Sequence, residues 1–158
     1  MSLPLNTKRH HEPAASNRLD PLTLIESLEE LLSEMLELHE ASLGNTRDHR
    51  SAVSQADRVG MARCASQQAM LQTKIEAAER RRASLRAAFR QGVSLREVLT
   101  ALDGHDTERC AELGRSLKDV VSKLKREQAR LGLARSALAQ HLHGLKQQNQ
   151  RSLSHAGV

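Results

Sequence analysis

From residue 22 to residue 158 the chain holds no proline, and it has no tryptophan, no tyrosine and one phenylalanine, Phe89. A proline inside a helix costs about 3 kcal/mol, so a run this long without one leaves room for very long helices. β-Branched and aromatic residues are scarce, which argues against strands. A core without aromatics must be thin and built of Leu and Ala, closer to the seam of a helical bundle than to a globular interior. Such a shape seldom encloses a catalytic pocket. It offers elongated apolar grooves, and binding another protein is the default expectation.

Other absences narrow the function further. No apolar run approaches the roughly 20 residues needed to span a bilayer. The first eleven residues, ending in Lys8-Arg9-His10-His11, contain no apolar h-region, so no secretory signal is expected and the protein is read as cytoplasmic, without membrane insertion. The two cysteines, Cys64 and Cys110, have no close-spaced partner and suggest neither zinc nor redox chemistry. Each falls on an apolar seam, as small buried hydrophobes do. No G-x-x-x-x-G-K-[ST], G-x-G-x-x-G, H-E-x-x-H or G-x-S-x-G occurs. His141-Leu142-His143 places two imidazoles at i and i+2, which face apart on a helix. The pair His10-His11 with Glu12 lies in a stretch with no further ligands and makes a poor metal site. No catalytic residue, metal or cofactor is therefore expected.

What is present is charge, unevenly placed. The formal net charge is +5. Residues 20–40 carry seven acids and no Lys or Arg, whereas residues 59–91 and residues 107–130 carry seven bases each. An acidic helix lying against two basic ones would neutralise much of the charge within the fold. Exposed pairs of that kind contribute only about 0–1 kcal/mol each, but they help select which helix neighbours which. The chain also lacks the aromatic platforms on which single-stranded bases stack, so a nucleic-acid partner is disfavoured.

Along the chain, residues 1–20 hold Pro4, Pro13 and small polar residues without periodicity, and they read as a disordered arm. Asp20-Pro21 then opens a first helix as N-cap and first helical residue. Leu24, Leu28, Leu31, Met35 and Leu38 form one stripe, and Ile25, Leu32 and Leu36 widen it. The pattern weakens through Gly44-Asn45-Thr46, then His49, Ala52, Val53 and Ala56 resume helical spacing, which carries the helix to about residue 54. Ser54-Gln55-Ala56-Asp57 fits a capping box, and Asp57 is itself a good cap for a second helix running to about Gln91. That helix has a seam of Cys64, Leu71, Ile75, Ala78, Leu85 and Phe89. Ser94-Leu95-Arg96-Glu97 predicts a short helix ending near Leu102. The last helix is expected from about Asp106 to Gln148, with a seam of Cys110, Leu113, Leu117, Val120, Leu124, Leu131, Ala134, Leu138 and Leu145. Glu127 and His141 occupy two slots of that seam.

The expected architecture is all-α: an elongated antiparallel bundle of three long helices with one short connecting helix. Residues 21–149 form the bundle domain, and residues 150–158 form a frayed C-terminal tail. Because the last helix is the longest, its C-terminal end should overhang the turn near Asp57 and leave an apolar strip without partners. Leu131, Leu138, Leu142 and Leu145 are the candidate partner-binding residues, in a helix-in-groove mode. The alternative is that the strip packs in a homo-oligomer or folds back on the bundle.

The leucine-rich acidic first helix is followed by Leu38-His39-Glu40-Ala41, by Asp48-His49-Arg50-Ser51-Ala52-Val53-Ser54-Gln55-Ala56-Asp57, and then by Gln68, Leu71, Ile75 and Glu79-Arg80-Arg81-Arg82. In these residues, over about 24–85, the chain resembles the FlgN family of flagellar export chaperones. The resemblance implies a cytoplasmic chaperone for the flagellar hook-associated (junction) proteins. It would shield their disordered amphipathic segments and deliver them to components of the type III export apparatus, with no catalytic residues. A generic coiled-coil adaptor or structural homo-oligomer is the alternative, and a basic helical nucleic-acid binder a weaker one.

Overall fold

The computed structural model describes residues 21–89, 96, 100 and 107–156. Among them the chain is all-helical, with three long helices and no strand: α1 (Pro21–Ser54), α2 (Arg58–Phe89) and α3 (Glu108–Ala156). The N-terminal arm predicted over residues 1–20 lies outside the described residues. So does most of the short helix predicted over 94–102. Of it, Arg96 and Thr100 are described; both are helical, and the Thr100 hydroxyl donates to the Arg96 carbonyl at 2.9 Å. A short connecting helix is thus not among the described elements.

α1 is continuous through Gly44. The candidate stop at Gly44-Asn45-Thr46 is overridden because Asn45 and Thr46 find partners without leaving the helix. The Thr46 hydroxyl donates to the Ser42 carbonyl one turn back, at 2.8 Å. The Asn45 amide reaches across to α2.

The turn into α2 is tight. The Asp57 N–H donates to the Ala52 carbonyl at 2.9 Å and the Ala56 N–H to the Val53 carbonyl at 3.1 Å. This is the paired bonding of a Schellman motif. It requires a left-handed residue, and Ala56 supplies it with φ of 53°. Asp57 then caps α2: its Oδ1 accepts the Gly60 N–H at 3.0 Å. A side chain at position 60 would meet the Asp57 carboxylate at 2.3 Å, so the cap needs glycine there. The Ser54 part of the expected capping box is not formed. Ser54 is the last residue of α1 and its hydroxyl donates back to the Arg50 carbonyl at 3.0 Å.

α1 is the central helix. Its broad apolar face serves two neighbours, whereas α2 and α3 each bring one narrow seam. Cross-contacts give the directions. Glu34 meets Arg81, Ser42 meets Gln68 and Asn45 meets the Cys64 carbonyl, so α2 runs antiparallel to α1. Cys110 meets the Ile25 carbonyl, Arg109 meets Glu29, Glu127 meets Arg50 and Arg135 meets His49, so α3 runs parallel to α1. Each helix therefore reverses the direction of the one before it. Among the described residues, α2 and α3 pack on α1 far more than on each other.

The core has two parts. Towards the start of α1, Ile25, Leu28, Leu31, Leu32 and Met35 pack with Ala78 of α2 and with Cys110, Leu113 and Leu117 of α3. Ala78 is fully buried, and its small side chain lets α2 approach closely. Both cysteines are free and buried, and burial followed by the nearby Glu29 charge pushes the Cys110 thiol pKa up. From His39 to His49 the buried set turns polar: His39, Ser42, Asn45, Thr46 and His49, with Glu127 of α3, before Ala52 and Val53 make it apolar again. Leu43, Val120 and Leu124 form a small apolar cluster beside the polar residues, with Leu36 packed against it.

Candidate partner-binding surface

α3 spans 49 residues, against 34 for α1 and 32 for α2. At 1.5 Å per residue that is about 74 Å against about 50 Å. Arg135 lies level with His49, and α1 ends at Ser54, so α3 clears the end of its neighbours near residue 140. Every residue from Ala139 to Ser154 is exposed. The helix does not stop at Gln148; residues 150–156 are helical too. Ser152 donates to the Gln148 carbonyl at 3.1 Å and Ser154 to the Arg151 carbonyl at 2.8 Å, so the polar tail satisfies itself locally.

The four predicted contact residues divide. Leu131 is buried and belongs to the bundle seam. Leu138 is half-buried at the rim. Leu142 and Leu145 are exposed, at 53% and 44%. Spaced by four and three residues, Leu138, Leu142 and Leu145 continue on one face the line that Leu124 and Leu131 follow inside the bundle. Leu153, at 74% exposure, extends the apolar character; its place beyond the Gln- and Ser-rich stretch hid it from the seam pattern. Exposed Val59, Met70 and Leu133 stand elsewhere on the surface.

Just below the overhang, α1 and α3 are joined by polar contacts. Arg135 Nη2 sits 3.3 Å from Nε2 and 3.4 Å from Nδ1 of His49, so the guanidinium lies against the ring. Burial first, and the Arg135 charge second, hold the His49 pKa below its ordinary value. Glu127 receives Arg130 Nη1 at 2.7 Å and faces Arg50 Nε at 3.2 Å. Burial alone would raise its pKa, but the Arg130 hydrogen bond and the charges of Arg130, Arg50 and Arg47 outweigh that and lower it. On the α2 side, Gln68 Nε2 donates to the Ser42 hydroxyl at 2.9 Å, and Asn45 donates to Gln68 Oε1 at 3.1 Å and to the Cys64 carbonyl at 2.9 Å. Asn45, His49, Gln68 and Arg135 line an open groove of about 510 Å³ between α2 and α3.

Sequence reasoning foresaw acidic α1 against two basic helices. Two cross-helix pairs carry it: Arg81 Nη2 reaches both Glu34 oxygens at 2.6 Å, and Arg109 approaches Glu29 at 3.7 Å. Glu26, Glu30 and Glu37 instead border an open face of α1. The described residues contain no group of three or more metal-ligating side chains and no helix long and apolar enough to cross a membrane. No protein-family model, no curated protein and no solved structure matches the chain.

Proposed function

We propose that the protein is a binding protein for amphipathic segments of other chains, acting as an export chaperone of the kind its FlgN resemblance implies. The observation that carries the reading is the α3 overhang, where Leu142 and Leu145 stand exposed in line with a bundle seam. A helix supplied by a partner can bury that strip as α1 buries the lower part of α3. The partners on this reading are flagellar hook-associated proteins, whose amphipathic segments would be shielded in the cytoplasm and handed to the type III export apparatus. It needs no cofactor and no catalysis, and the short connecting helix over 94–102 belongs to the same architecture.

The test uses the full chain and the terminal segments of hook-associated proteins. Replacing Leu142 and Leu145 with Ser should abolish binding and leave the helical circular-dichroism signal unchanged, because neither side chain is in the core. The matched control, Leu117, Val120 and Leu124 to Ser, should unfold the protein, since buried Leu truncations cost about 2–5 kcal/mol each. Intact binding by a folded Leu142/Leu145 variant would move the site elsewhere. Concentration-dependent self-association that disappears with the same two substitutions would favour the homo-oligomer instead.

A further inference from the structure

The charge around the strip says what kind of helix covers it. After Glu127 the chain contains no Asp or Glu through Val158, while it holds Arg130, Arg135, Lys146 and Arg151. On the helix, Lys146 falls four residues after Leu142 and borders the apolar face, and Arg135 borders the same edge three residues before Leu138. The strip is thus an apolar line with one cationic edge and no anionic one.

We infer that the overhang of α3 selects an acidic amphipathic helix, which docks in line with α1 and places carboxylates beside Lys146. This inference rests on the partner-binding reading above. It continues an interface already present, because lower on the same face of α3 the covering helix is α1, which is itself leucine-rich and acidic over residues 20–40. There Arg109 of α3 approaches Glu29 of α1. An incoming acidic helix would restore that polarity beyond the end of α1, above the reversed pair of Arg50 and Glu127.

The other occupants fit less well. Two overhangs paired with each other would bring two cationic flanks together without an acid between them. A second copy's α1 offers exposed Glu26, Glu30 and Glu37, but its described leucines are buried or half-buried within its own bundle and cannot cover the strip. The chain's own residues 1–20 carry Lys8, Arg9 and Arg18 against Glu12 and Asp20 and are not acidic.

The test is a pair of synthetic helical peptides with identical leucine spacing, one with Glu on both flanks and one with Lys, titrated against the full chain. The acidic peptide should bind up to about tenfold more tightly, because Lys146 attracts the Glu flank and repels the Lys flank. That preference should shrink as salt rises from about 0.1 M to about 1 M, because the screening length falls from about 10 Å to about 3 Å. Lys146→Glu should cut the preference, and Arg151→Glu, on the opposite side of the helix, should cut it less. Equal binding of both peptides, abolished by Leu142→Ser with Leu145→Ser, would overturn the charge inference and leave the strip as the site. Binding of neither peptide to the folded chain would overturn the strip reading, and the inference with it. Self-association of the chain through the overhang in sedimentation, blocking the acidic peptide, would make a second copy the occupant and overturn the inference.

Discussion

The two halves of α1 are held in different ways. From Leu24 to Met35 its buried face is apolar and meets Ala78, Cys110, Leu113 and Leu117. From His39 to His49 the buried face is mostly polar and meets Gln68, the Cys64 carbonyl and Arg135 through named hydrogen bonds and contacts. Apolar packing contributes most of the stability but is non-directional, so it tolerates a slip of one helix against another. Hydrogen bonds add less net free energy and fail if the register shifts, because a buried group left without a partner costs about 1–3 kcal/mol. The apolar half therefore makes the bundle stable, and the polar half fixes register: Gln68 and the Cys64 carbonyl hold α2 against α1, and Arg135 and Glu127 hold α3. The register of α3 sets the length of the overhang.

The largest expected effect lies in the apolar half. Leu32 and Met35 are each only 1% exposed, so Leu32→Ala or Met35→Ala should cost about 2–5 kcal/mol in denaturant unfolding. A loss below about 1 kcal/mol would mean that the site collapses freely and is not the stability centre.

Next comes the polar half. Gln68→Ala strips partners from Ser42 and Asn45 together, and about 1–3 kcal/mol should be lost. A variant with Leu at positions 42, 45 and 68 should recover stability while broadening helix register, read as heterogeneous crosslinking between α1 and α2. Uniform crosslinking in that variant would show that the polar half does not specify the register of α2 on α1.

Ala56 gives a smaller effect of opposite sign. Its left-handed backbone is one glycine adopts without strain, so Ala56→Gly should stabilise by about 1 kcal/mol, less the greater chain entropy of glycine when unfolded.

The His49 effect is smaller still and depends on pH. Its folded pKa lies below its ordinary 6.5, so the unfolded chain takes up the proton first as pH falls. His49 should cost nothing above pH 6.5 and should destabilise progressively as pH drops below it. The sign for Glu127 is also fixed: its lowered pKa gives stability present above 4.5 and lost as pH falls through the folded value. Melting temperature against pH for the wild type and His49→Gln should diverge only below 6.5. Parallel curves would show that burial and the Arg135 charge do not hold the His49 pKa down.

Much of this was legible in the residues. The start of α1, its end at Ser54, the Asp57 cap and the seam from Cys110 to Leu131 follow from spacing and capping chemistry alone. The polar half was harder to read. His39, Ser42 and Asn45 look like surface residues until Gln68 is seen beside them, and a partner from a distant helix has no local signal. The left-handed Ala56 was hidden for a related reason: alanine gives no hint of the glycine-like backbone it adopts. The end of α3 was set too early, because Gln- and Ser-rich sequence carries no seam whether or not it is helical. The overhang itself came from helix lengths, and Leu131 shows the limit of that argument. Placing it needed the register of α3 on α1, which the cross-contacts between the two helices supply.

The central claim is that α3 beyond residue 140 stands free and is covered by a partner. Backbone hydrogen exchange over residues 139–154 tests it most directly. In the chain alone these amides should exchange far faster than those of Leu113–Leu124, and saturating acidic amphipathic peptide should slow them while leaving the buried segment unchanged. Protection of 139–154 already equal to that of the buried segment, or no change at saturation, would contradict the account.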